Sequence, residues 1–225
     1  MSEDLRNWQP RPRPARMTLE GRYVRLEPLN AMLHGDGLFE ASAVSDSDNR
    51  FAWLPDYPPE SREAFQPWLD KAEASQDPLF FVLVDQQSGK IAGRQTLMRI
   101  EPTPGVIEIG NIYWGPLVSR KPAATEAFFL FAQYIFDELG YRRYEWKCNN
   151  RNEPSKRAAE RFGFQFEGIF RQHMVVKDEN RDTAWFSIID KEWPALRMAY
   201  LAWLDPSNFG ADGVQKRRLE DFRAG

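Results

Sequence analysis

Apolar and polar residues alternate through Tyr23-Val24-Arg25-Leu26-Glu27-Pro28-Leu29 and stop at proline, the period of a half-buried strand. Asn30 then suits the cap of a helix reaching about Val44, carrying Leu33, Leu38, Phe39 and Ala43 but weakened by Gly35 and Gly37. Residues 45–59 (SDSDNRFAWLPDYPP) mix turn formers with aromatics and read as a loop. From Ser61 to Ala74 the spacing of Phe65, Trp68, Leu69 and Ala72 predicts an amphipathic helix. Phe80–Val84 and Ile91–Ile100 read as strands joined by a turn at Gln86–Lys90. Pro102–Gly105 turns the chain again into Val106–Trp114, which completes an antiparallel meander.

The pattern changes at Gly115-Pro116. From Pro122 it becomes a helix of about 18 residues whose surface is apolar nearly all round, with Phe128, Phe129, Leu130, Phe131, Ile135 and Phe136, the mark of a buried helix. Gly140 suits its C-terminal cap. A strand at Arg143–Cys148 follows at once, and a short helix opens near Asn152-Glu153-Pro154 and closes at Gly163. Strand, buried helix, strand predicts a parallel pair joined by a right-handed crossover. Phe164–Val176 and Thr183–Ile189 read as two last strands around a turn at Lys177–Asn180, and Trp193–Leu204 as a closing helix. The sum is a mixed α/β fold, mostly antiparallel, of six or seven strands with a central splayed parallel pair and helices on both faces. One domain, residues 19–204, lies between an N-terminal tail, 1–18, and a polar C-terminal tail, 205–225.

Composition narrows the function classes. With 42% hydrophobic and 14% aromatic residues the chain can bury a sizeable core. Thirty basic against 33 acidic side chains give no electrostatic case for binding nucleic acid. A single cysteine, Cys148, and two separated histidines argue against a disulfide framework and a metal site. No long apolar run suggests a membrane span or export, so a cytoplasmic setting is expected.

The helix N-terminus at Pro122 offers backbone N–H groups and the positive end of a macrodipole, which suits a phosphate. The residues around it carry a resemblance. A strand ending in Glu-x-Gly-x-x-Tyr-Trp, ATEA opening the long helix, and N-x-x-S followed by AERFGF resemble, in order and spacing, motifs of the GCN5-related N-acetyltransferases (GNAT). The branch most similar is that of the Rim-type ribosomal-protein N-terminal acetyltransferases, and the likeness runs from about Gly21 to Trp203. It implies an acetyl-coenzyme A-dependent transfer to a primary amine, a protein N-terminus or a small amine, through a ternary complex. A homodimer is compatible with it.

The resemblance also implies site residues. Aligning ATEA with the family's phosphate-loop pattern puts Ser119, Pro122 and Ala124 at its three marked positions, two of which depart from it. Pro122 has no N–H to offer, which leaves Arg120, Lys121, Ala123, Ala124 and Thr125 as amide donors, with added charge from Arg120 and Lys121. Main-chain N–H groups of Trp114 and Leu117 are candidates for the oxyanion contact. Asn152 is implied to meet the pantetheine arm and Ser155 to donate to the departing thiolate; both also suit plain helix capping. Glu108 is the candidate base, a cross-strand arginine being its alternative partner, with Glu145 and Tyr113 as fallbacks. The basic set Arg151, Lys156, Arg157 and Arg161 offers charge for the adenosine end, and the aromatic loop 51–58 is a candidate for acceptor contact. The competing class is a binding module of the same fold that holds an acyl-coenzyme A or a protein partner without turnover.

Overall fold

The computed structural model describes residues 4–223; residues 1–3, 224 and 225 of the two tails lie outside it. Eight strands form one sheet: β1 (Leu19–Glu20), β2 (Val24–Pro28), β3 (Leu79–Asp85), β4 (Ile91–Glu101), β5 (Val106–Trp114), β6 (Arg143–Asn149), β7 (Gln165–Val176) and β8 (Glu179–Ile189). Their order is β1-β2-β3-β4-β5-β6-β8-β7, and only β5 and β6 run parallel. The expected meander and crossover are therefore present, with a two-residue strand, β1, added at one edge.

Helices α1 (Ala31–Ser42), α2 (Ser47–Phe51) and α3 (Arg62–Ala74) precede the meander; α4 (Pro122–Gln133), α5 (Glu153–Phe162), α6 (Trp193–Leu204) and α7 (Leu219–Arg223) follow it. The α2 turn lies in the stretch read as loop from its composition. Side-chain oxygens cap three helices: Asn30 accepts from Leu33 N, Ser61 from Ala64 N and Asn152 from Ser155 N. Past Gln133 the long helix widens into one π turn, Tyr134–Glu138. Gly163 ends α5 with φ of 95°, a conformation that favours glycine.

The core lies between α4 and the sheet. Phe128 is fully buried and stacks on Phe162 at 4.7 Å and on Tyr144 at 5.6 Å. Ile107, Ile109, Leu97 and Phe81 meet the same helix from the strands, which is why α4 has no polar face to expose. Its one buried carboxylate, Glu126, accepts the backbone N–H groups of Arg22, Tyr23 and Val24 and so pins the β1–β2 hairpin to the helix. Burial pushes that carboxyl up from its ordinary value, with the three N–H donors pulling the other way.

Both segments outside the central domain make defined contacts. Trp8 donates its indole N–H to Thr103 O at 2.7 Å, and Ala15 N donates to the Tyr134 hydroxyl at 2.8 Å. Beyond α6, Leu219 is fully buried in the main core, and Asn208 donates to the carbonyls of Trp203 and Arg217. None of the helices of the described residues is long and apolar enough to cross a membrane.

Candidate active site

The parallel ladder of β5 and β6 holds for four register positions, Val106↔Arg143 to Ile109↔Trp146, and then stops. Beyond it β5 pairs only with β4 and β6 only with β8, so the two strands diverge into a notch. A bulge sharpens the divergence: Asn111 takes φ of 47°, and the β4–β5 register shifts between Thr96↔Gly110 and Arg94↔Tyr113. The ends of α4 and α5 lie on one face of this notch.

At α4 the helix starts at Lys121 with no side-chain cap and no acidic residue in its first turn. The three capped helices use Asn or Ser at this place; α4 offers an exposed lysine. Its first-turn N–H groups have no intrahelical acceptor. Three of the expected donors are nevertheless engaged within the turn: Ser119 N donates to Gly115 O, Lys121 N to Val118 O and Ala124 N to Lys121 O, at 3.0 to 3.1 Å. These amides are corrected as phosphate donors, because a donor satisfied inside the turn is not free for a ligand. Arg120 adopts φ of 61° with its side chain exposed, and Ala123 is buried in the first turn.

Two further cationic features converge there. Thr125, buried, accepts through Oγ1 from Arg161 Nη1 at 3.0 Å. Arg161 thus comes from the end of α5 to the start of α4, stacked over Trp203 at 5.0 Å. Among the described residues no carboxylate pairs with it; burial, the largest influence, lowers its pKa. An uncapped helix start flanked by Arg120, Lys121 and an Arg161 with no ion-pair partner among the described residues fits a pyrophosphate.

On β6 and α5, Ser155 Oγ accepts the indole N–H of Trp146 at 3.0 Å, and its own hydrogen has the Cys148 sulfur as a neighbouring acceptor. Cys148 lies beside it, and burial pushes that thiol up, against a smaller lowering by the Ser155 hydroxyl. Asn152 caps α5, as its residue type allows. Trp114 is half-buried, donates through Nε1 to Gln95 Oε1 at 3.2 Å and packs edge-on against Phe162; its carbonyl accepts from Arg50. Leu117 packs against the core.

Two catalytic expectations are corrected. Tyr113 points away from the notch: its hydroxyl donates to Ala41 O at 2.7 Å, and its ring lies 4.8 Å from Phe51. Burial raises its pKa further from use as an acid or base at neutral pH. Glu108 is buried, and both its oxygens accept from Arg99 Nη1, at 2.9 and 2.8 Å, while Lys147 Nζ lies 2.9 Å from Oε2. Its lone pairs are committed to two cations, the cross-strand alternative with a second partner added, so it does not stand open as a base.

The chain of charge continues on the sheet face opposite α4. Lys147 Nζ lies 2.6 Å from Glu145 Oε2 and 3.8 Å from the centre of the Trp185 ring, and Arg143 joins Glu145 to Glu167. Arg99 and Lys147 were not legible as site residues, although Glu145 and Lys147, two apart in a strand, signal one charged face. Loop 51–58 bridges the two arms of the notch: Lys177 Nζ donates to Phe51 O at 2.9 Å and sits 4.3 Å over Tyr57.

With this geometry the chain belongs to the GNAT acetyltransferases, whose acetyltransferase (GNAT) domain it matches over residues 24–165. A crystal structure of a GCN5-related N-acetyltransferase from Brucella melitensis is 68% identical, covers 98% of this chain and 100% of its own, and superposes with a TM-score of 0.98. Two proteins of Bacillus subtilis strain 168 are also similar. Uncharacterized N-acetyltransferase YnaD is 30% identical over 38% of this chain and 50% of its own length. YdaF, named provisionally as a ribosomal N-acetyltransferase, is 29% identical over 47% and 57%. The chain thus spans about half the length of these curated relatives.

Proposed function

We propose that the protein moves an acetyl group from acetyl-coenzyme A directly to a primary amine. The observation that carries this reading is the uncapped start of α4 beside the β5–β6 notch, with Arg120, Lys121 and Arg161 around it and Ser155 across the gap. The thioester supplies the activated acyl group. In this reading the amides of Arg120 and Ala123 and the three cations hold the pyrophosphate, and the uncommitted edge of β5 at residues 110–114 receives the pantetheine arm. Asn152 orients α5, and the hydrogen of Ser155 is directed to the sulfur as the carbon–sulfur bond breaks and the amine nitrogen bonds to the acyl carbon. The nitrogen gives up one proton by way of solvent, and the departing thiolate takes one up to leave as the coenzyme A thiol.

Glu108, held by Arg99 and Lys147, then acts as a fixed charge below the acceptor rather than as the proton acceptor. An α-amine has an ordinary pKa of about 8, so a useful fraction arrives neutral at pH 7 without strong base help. The similarity to YdaF, named as a ribosomal N-acetyltransferase, favours an amine on a ribosomal component as the acceptor.

Thiol release with a panel of primary amines, alongside a coenzyme A titration, tests the reading; tight binding with no turnover on any acceptor would instead support a binding module. Ser155→Ala is expected to lower kcat on the order of a hundredfold with coenzyme A affinity retained. Full turnover in this variant would reduce Ser155 to a packing partner of Trp146.

A further inference from the structure

On the sheet face opposite α4, charges under the notch do not balance. Arg99, Arg143 and Lys147 are paired with Glu108, Glu145 and Glu167 in one continuous network. Arg181, on β8, is a fourth cation and pairs with no carboxylate among the described residues. Its Nε is buried without a hydrogen-bond partner, and the same is true of the Trp185 indole N–H four residues further along. Buried donors left unmet are uncommon in folded proteins and call for an occupant.

Alternation along β8 puts Arg181, Thr183, Trp185 and Ser187 on one face, the face that Lys147 and Glu145 share through the register Lys147↔Trp185 and Glu145↔Ser187. Arg181 lies within electrostatic range of Cys148 at the end of β6 and of Glu108 on β5, the two strands that diverge at the notch. Burial, its largest influence, lowers its pKa, with Cys148 and Glu108 opposing. The neighbouring Asp182 is turned to other work, accepting from Gln172 N and Asn180 Nδ2. His173 flanks the group, its ring 6.2 Å from Trp185 and its Nδ1 2.9 Å from Thr183 Oγ1.

We infer that Arg181 and the Trp185 indole N–H form an anion-recognising site on the acceptor side of the notch, selecting amines that carry a carboxylate close to the reacting nitrogen. The phosphates of the cofactor have their own cations at α4, on the other face of the sheet, so the surplus charge here is available to the acceptor. A guanidinium with a planar fork of donors suits a carboxylate in two-point contact, and an indole N–H adds a third donor. An amino acid, or a peptide whose first residues are acidic, has this chemistry. The inference rests on the transferase reading for its substrate class, but not for the existence of the anion site.

The test uses matched pairs of acceptors: glutamate and glutamine α-amides, and peptides beginning with Asp or Asn and with Glu or Gln. Wild-type protein is expected to favour the acidic member at least tenfold in kcat/KM, and Arg181→Gln to bring that ratio close to one. Trp185→Phe, which keeps the ring over Lys147, is expected to lower the ratio several-fold and serves if Arg181→Gln fails to fold. Turnover with equal ratios in wild type, or a ratio that neither variant alters, would overturn the inference. Calorimetric binding of the same pairs to the coenzyme A-loaded protein separates the two readings. Arg181-dependent preference for the acidic member without turnover upholds the anion site while the transferase reading fails; binding blind to the carboxylate overturns the site.

Discussion

Lys147→Met is expected to destabilise the fold by about 3–5 kcal/mol, the loss typical when one partner of a buried ion network is removed. Methionine keeps most of the apolar stem over Trp185, so the loss reads out charge rather than volume. Glu108 and Glu145 are register partners on adjacent strands, both buried and both bonded to this one ammonium. Without it two carboxylates face each other with Arg99 and Arg143 at the outer ends only. Chemical denaturation measures the change. A second substitution, Glu145→Gln, in the same chain is expected to restore part of the stability, because it removes the opposed charge; strict additivity of the two changes would show that the network is not coupled.

Lys121→Asp is expected to move stability and cofactor affinity in opposite directions. Lys121 already has the extended backbone of a helix cap, φ −111° and ψ 166°, but no side-chain oxygen to use. Aspartate there would accept from the first-turn N–H groups and place a negative charge at the positive end of α4. The expected gain is about 0.5–2 kcal/mol in unfolding free energy. The same carboxylate would occupy the place proposed for the pyrophosphate and repel it, so coenzyme A affinity should fall at least tenfold, about 1.4 kcal/mol. Proteins often forgo stability at a site kept open for a ligand. A variant that gained stability and bound coenzyme A unchanged would show that the ligand does not use this helix end.

Much of the fold was legible because the chain changes period cleanly: from two in the meander to an all-apolar helix at Pro122 and back at Arg143. A helix with no polar face has to be covered on every side, and the crossover followed from that. The site was less legible, for reasons of backbone geometry. Left-handed residues at Arg99 (φ 46°) and Asn111 (φ 47°) reset the alternation of β4 and β5. Tyr113 therefore shares a face with Glu108, five residues away, where an unbroken strand would set them opposite. The same irregularity at Arg99 aims its guanidinium at Glu108, so a carboxylate that reads as a candidate base becomes a buried ion-pair partner. Arg161 reads from the sequence only as one of a basic set on α5, and its reach to the start of α4 is set by packing; Arg181 comes to the notch from β8, and no local spacing points to it. The short helix α2 carries no helical signal in its residues, SDNRF, most of which are turn formers by composition.

The site also divides by face. Helix ends and cations for an anionic cofactor lie with α4 and α5, while the paired charges, Arg181 and the bridge from Lys177 to loop 51–58 lie on the other side. That division allows two ligands to approach one gap from opposite faces, an arrangement compatible with the direct transfer proposed.

The decisive measurement is calorimetric titration of acetyl-coenzyme A into the full chain. One equivalent is expected to bind, with an affinity that falls as salt is raised because the phosphates meet the cations at the start of α4. A folded protein that released no heat and competed for no cofactor would contradict it.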